Sequence, residues 1–168
     1  MRILALGDVV GEPGRRLVEA FVPELRRETG ADLVVVNGEN AAHGHGITEA
    51  IAREWFDKLG VDVITTGNHA FDQKGVEAFF KAEPRLLRPL NFPPGTPGQG
   101  FVKLHTREGL EVMVVNLMGR VHMPLCEDPF RAMDTLLMKE RADLVIVDMH
   151  AEATSEAQAM GHHLAGRV

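Results

Sequence analysis

Four short apolar runs in this chain each stop at a residue able to bind a metal or move a proton, and that recurrence constrains the fold more than any other feature. Arg2 to Leu6 leads to Gly7-Asp8, and Val34 to Val36 leads to Asn37-Gly38-Glu39-Asn40. Val61 to Thr66 leads to Gly67-Asn68-His69, and Ala142 to Val147 leads to Asp148-Met149-His150. Apolar runs of this kind read as buried strands, which belong to sheets covered on both faces. In open α/β sheets ligands collect just outside the carboxyl ends of the strands. Four such ends point to one shared site.

The stretches between these runs supply the covering layers. Val9 to Arg16 reads as a Gly- and Pro-punctuated turn, followed by a helix with Leu17, Phe21, Val22 and Leu25 on its apolar face and Gly30 at its end. Thr48 is an N-cap for a helix carrying Ile51, Trp55 and Leu59, ended by Gly60. A further helix is expected over Lys74 to Lys81, which completes a βαβαβα pattern and hence a parallel sheet. From Pro84 the pattern changes. Arg88 to Gly100 is too rich in Pro and Gly for regular structure, and two strand candidates, Phe101 to His105 and Leu110 to Asn116, flank the hairpin signal Thr106 to Gly109. Helices are expected over Pro129 to Arg141 and Thr154 to Leu164. Without a repeat or linker, residues 1–168 read as one domain in which two sheets pack together with helices outside.

Composition narrows the class. With 168 residues the chain can bury a substantial core, and a net charge of −6 offers no basic footprint for duplex DNA. No apolar run reaches the ~20 residues of a membrane span. The single Cys126 and the absence of a leader before the first strand fit a soluble, cytoplasmic protein.

Asp8, Glu39, Asn40, Asn68 and His150 are oxygen or imidazole donors with no soft sulfur among them, a set suited to manganese, iron or zinc. A carboxylate can bridge two cations about 3.5–4 Å apart, as in two-metal hydrolases, and Glu39 is the candidate bridge. His69, next to Asn68, is the candidate general acid. Taken singly, Asp8 could cap a helix and the asparagines could close turns. A carboxylate following a buried strand, between Gly38 and Asn40, is harder to explain without a cation or strong partner. His43 and His45, in a glycine-flanked loop, read as substrate contacts or exposed residues rather than ligands. Arg15, near a helix start, could hold a phosphate or serve a solvated surface. Gly7, Gly11 and Gly14 do not have the G-x-G-x-x-G spacing of a dinucleotide site.

Gly7-Asp8-Val9-Val10-Gly11, Asn37-Gly38-Glu39-Asn40-Ala41-Ala42, Gly44-His45-Gly46-Ile47-Thr48, Gly67-Asn68-His69 and Asp148 to Glu156 together resemble the YmdB-like branch of the calcineurin-like metallophosphoesterases, as does the loop from Asn91 to Gly100. The resemblance implies a two-sheet sandwich flanked by helices (α/β/β/α). It also implies a dinuclear iron or manganese centre and phosphodiesterase activity on 2′,3′-cyclic nucleotides. On this reading Asp8 holds the first metal, Glu39 bridges, Asn40, Asn68 and His150 hold the second, and a metal-bound hydroxide attacks while His69 protonates the leaving group. Members of that branch continue past the position of Val168 into a Gly-Thr-His-Thr-His segment whose two histidines complete the centre. The expectation is therefore that this chain corresponds to the N-terminal two thirds of the family fold and is incomplete at its C-terminus, with an open sheet edge that allows a homo-oligomer. The rival expectation is a nucleotide-binding regulatory protein with little or no turnover.

Overall fold

A computed structural model describes residues 1–168 and contains two three-stranded sheets. The first is built from β1 (Ile3–Leu6), β2 (Leu33–Asn37) and β3 (Val63–Thr65), all parallel and in that spatial order, connected by α1 (Gly11–Thr29) and α2 (Glu49–Asp57) and followed by α3 (Val76–Ala82). The second comprises β4 (Phe101–His105), β5 (Glu111–Met118) and β6 (Leu144–His150). β4 and β5 form the expected antiparallel hairpin, and α4 (Pro129–Lys139) carries the chain across so that β6 runs parallel to β5. α5 (Thr154–Leu164) ends the chain. No helix is long and apolar enough to cross a membrane.

The two-residue period of a strand sorts side chains into three layers. Val34, Val36 and Ile64 face outward onto Val18 and Val22 of α1, Trp55 of α2 and Phe80 of α3. Met113, Val115 and Leu117 face outward onto Met133 and Leu136 of α4 and Met160 and Leu164 of α5. The alternate residues meet between the sheets, where Leu33, Val35 and Val63 pack with Leu87, Val112 and Val114. This is the sandwich flanked by helices that the resemblance implied. The same alternation sends Asn37, Thr65, Asn116 and Asp148 to the inter-sheet layer at the carboxyl ends of their strands.

Local chemistry explains where the helices start. Thr48 Oγ1 accepts from the Ile51 amide at 3.3 Å, and Asp128 Oδ1 accepts from the amides of Phe130 and Arg131 at 2.8 and 3.2 Å, with Pro129 at the first helical position. α1 departs from expectation because its helical hydrogen bonding begins at Gly11, inside the stretch read as a turn. Pro13 lies in the first turn, where its missing N–H would have had no helical partner anyway. The buried face keeps Val22, as expected, but is centred one residue away from Leu17 and Phe21. Val18 and Val22 point inward, whereas Leu17 is 60% exposed and Phe21 50% exposed. Both pairs have i, i+4 spacing, so periodicity alone could not choose between them.

Candidate metal centre

The site begins where the inter-sheet layer turns polar. The Asp148 carboxylate on β6 accepts from Thr65 Oγ1 at the end of β3 and from Asn37 Nδ2 at the end of β2, the latter at 3.2 Å. One side chain thus ties the carboxyl ends of both sheets together. Asn37 Oδ1 then accepts from the Glu39 amide at 3.1 Å, which fixes the turn leaving β2. The buried Asn116 side chain donates to the carbonyls of Thr66 and Leu87 at 2.8 and 3.2 Å and secures the turn leaving β3.

Above this network the sequence-derived donors meet. Glu39 is only 2% exposed, and its Oε1 lies 3.1 Å from His150 Nε2 and 3.1 Å from Asn40 Nδ2. His150 Nε2 also lies 3.1 Å from Asn68 Oδ1, and Asn40 Nδ2 donates to Asp8 Oδ2 at 2.8 Å. Asp8, Glu39, Asn40, Asn68 and His150, which come from four strand ends, are therefore contiguous. Burial on its own would lower the His150 pKa. The hydrogen bond and charge of Glu39, with the charges of Asp148 and Asp8, outweigh it and hold the imidazole above its ordinary value.

Two features fit this set to a cation. Glu39 Oε2 is buried without any hydrogen-bond partner, and an unpartnered carboxylate oxygen inside a protein is costly unless a positive charge faces it. Gly67 lies against the same oxygen, and a Cβ there would collide with Glu39 Oε2 and with the His150 ring. The glycine keeps that space open. Oxygen and imidazole donors around a bridging-capable carboxylate suit divalent iron, manganese or zinc.

His69 stands in the next turn with its Nδ1 2.5 Å from Asp72 Oδ2, and the exposed His45 ring meets it edge-on with centroids 4.9 Å apart. Asp72 is not among the residues that the sequence singles out; its signal is the three-residue spacing from His69, which a turn brings together. Asp148, Thr65 and Asn116 have no role in the sequence expectation either, although Asp148 and His150 share a strand face by period two, whereas Asn37 makes the turn-closing contact that the sequence allowed for its asparagines. His43 is exposed with φ 56°, outside these contacts. Arg15 Nη1 donates to the Ala41 carbonyl at 2.5 Å, so its guanidinium secures the loop after Glu39.

A two-sheet α/β sandwich whose strand ends present carboxylate, amide and imidazole donors around a buried, unpartnered carboxylate oxygen has the architecture of a metallophosphoesterase. More particularly, the chain belongs to the YmdB-like protein family, whose model matches residues 4–168. It is 45% identical over 170 residues to a 2′,3′-cyclic-nucleotide 2′-phosphodiesterase of Bacillus subtilis (strain 168), an alignment covering 100% of this chain and 64% of that protein. A putative phosphatase/phosphodiesterase of Mycoplasma pneumoniae is 36% identical over 165 residues, covering 95% of this chain and 58% of that protein. Among solved structures, a hypothetical protein from Thermus thermophilus superposes with a TM-score of 0.93 at 48% identity, over 100% of this chain and 65% of that one. A novel phosphatase from Mycoplasma pneumoniae gives 0.90 at 35% identity, over 99% and 60%. The chain spans about three fifths of the length of the curated relatives it matches.

Proposed function

We propose that this chain carries the core of a dinuclear metal-dependent phosphodiesterase that hydrolyses 2′,3′-cyclic nucleotides or related phosphodiesters. The observation that carries the reading is the orphaned Glu39 Oε2, buried at the point where four strand ends converge. The activity for which the Bacillus subtilis relative is named supports the substrate class. Asp8 would hold one cation, Glu39 would bridge, and Asn40, Asn68 and His150 would hold the other, with iron or manganese the metals this donor set favours. When bound, such cations activate a water molecule and stabilise charge on the phosphoryl oxygens.

The protein's own groups do the rest. Asp148, through Asn37 and Thr65, sets the position of the Glu39 turn and of the strand end that carries His150. Asp72 accepts the Nδ1 proton of His69, which orients the ring and leaves Nε2 to present a proton to the leaving oxygen. Gly67 keeps side-chain bulk out of the cation space.

Elemental analysis and turnover of a 2′,3′-cyclic nucleotide test this on the chain and two variants. Glu39→Gln is expected to lose the bridged ions and at least about 100-fold in turnover. His69→Ala is expected to keep its metal and lose about 10²–10⁴-fold. Unchanged metal content and turnover in Glu39→Gln would overturn the proposal, as would nucleotide binding by the wild type with no metal-dependent product.

A further inference from the structure

Next to the Glu39 cluster, and sharing no side chain with it, is a second convergence of donors. His45, His69 and Asp72 each offer one ligand atom, and these atoms all lie within 4.8 Å of one another. Both loops that carry them are held in place. The Gln73 side chain donates to the His45 carbonyl at 2.5 Å, and the Ala42 amide donates to the Gly46 carbonyl at 2.8 Å. Gly46, with φ 72°, lies so close to the neighbouring turn that a Cβ would sit 3.0 Å from the His69 carbonyl oxygen and 3.4 Å from Asp72 Cβ. The turn itself closes with the Asp72 amide donating to the His69 carbonyl at 3.2 Å. The three donors are thus presented by two interlocked loops rather than by long side chains that happen to approach one another.

Two imidazoles and one carboxylate make a three-ligand set with an open fourth position. That set suits zinc, whereas magnesium and calcium prefer oxygen ligands throughout. Donor atoms within 4.8 Å of one another reach metal–ligand bonds of about 2.0–2.2 Å to a single ion once the side chains close on it. We propose that His45, His69 and Asp72 form an accessory zinc site, separate from the Glu39 centre, that inhibits the enzyme by engaging His69.

The inhibitory consequence rests on the proton-donor role proposed for His69; the binding site does not. His69 Nδ1 shares a proton with Asp72. A cation that takes a ring nitrogen and the Asp72 carboxylate displaces that proton to solvent. Zinc held by the ring and by Asp72 replaces the contact that orients His69 and leaves the ring at most the N–H of its other nitrogen, so the oriented donor is lost. His45 completes the grip from the opposite loop. His43, two residues away on the same loop, is not in the group and serves as an internal control.

Competition of the protein with a chromophoric zinc chelator reads the site directly. Glu39→Gln is expected to retain one zinc equivalent, and combining it with His45→Ala is expected to weaken that equivalent at least 10-fold. His43→Ala should leave it unchanged. The wild type and His45→Ala, which differ at an exposed side chain, provide the same comparison without touching the buried carboxylate. Zinc should also inhibit the manganese-loaded wild type at concentrations at least 10-fold lower than it inhibits His45→Ala. Identical zinc affinity and stoichiometry in the wild type and His45→Ala would overturn the proposal. The two proposals fail separately: a faulty Glu39 reading shows as manganese or iron content and turnover unchanged in Glu39→Gln, whereas a faulty accessory site shows as zinc binding indifferent to His45.

Discussion

The two ends of the inter-sheet layer are made by the same strands and contrast in every physical respect. At one end Leu33, Val35, Val63, Leu87, Val112 and Val114 close the space between the sheets with apolar atoms. At the other, one period further along the same strand faces, Asn37, Thr65, Asn116 and Asp148 fill it with hydrogen-bonded polar groups, and Glu39 and His150 stand just beyond. The apolar end is stabilised by burial and close packing. The polar end is held by directed bonds, and at Glu39 Oε2 it keeps a group that folding alone does not satisfy. The candidate site is therefore a continuation of the core with its residue type switched, and both sheets hold it from below.

Three substitutions break or sharpen this contrast. Leu87→Ala, at a fully buried position in the apolar end, is expected to cost about 2–5 kcal/mol of unfolding free energy in denaturant titration, with metal stoichiometry unchanged. Gly67→Ala should cost less stability, about 1–3 kcal/mol from overpacking, yet abolish metal uptake, because the new methyl meets Glu39 Oε2 and the His150 ring. Asp148→Ala lies at the junction. It leaves Thr65 Oγ1 and Asn37 Nδ2 without their acceptor, so a loss of about 1–2 kcal/mol is expected, together with about 10–100-fold weaker metal binding in competition titrations. If Leu87→Ala lowered metal affinity as much as Asp148→Ala, the two ends would be one cooperative unit and the contrast would fail.

The fold was largely legible from the chain. Apolar runs, Thr48 as a cap, Pro129 at a helix start and the Thr106–Gly109 turn are local signals, and the structure follows each of them. On α1 Val22 was legible as buried, but the choice of Val18 over Leu17 and Phe21 was not, because Leu17 with Phe21 and Val18 with Val22 have the same spacing, and only the position of β2 beneath the helix decides between them. At the site, Asp8, Glu39, Asn40, Asn68 and His150 could be listed from their places at strand ends. Their mutual distances could not, since Asn68 and His150 are 82 residues apart in the chain.

What the sequence by itself determined is the set of chemical groups delivered to the ends of the strands: apolar runs choose buried strands, and the residues after them must emerge at one edge of the sheets. Tertiary structure alone decided which of those groups touch. It joined Asn37 and Thr65 to Asp148 across the two sheets, turned Arg15 to the Ala41 carbonyl, brought His45 against His69, and left one oxygen of Glu39 without a partner. The physical reason is that local propensity acts over a few residues, whereas these contacts depend on how two separately formed sheets stack, a choice made by burial of the whole inter-sheet layer.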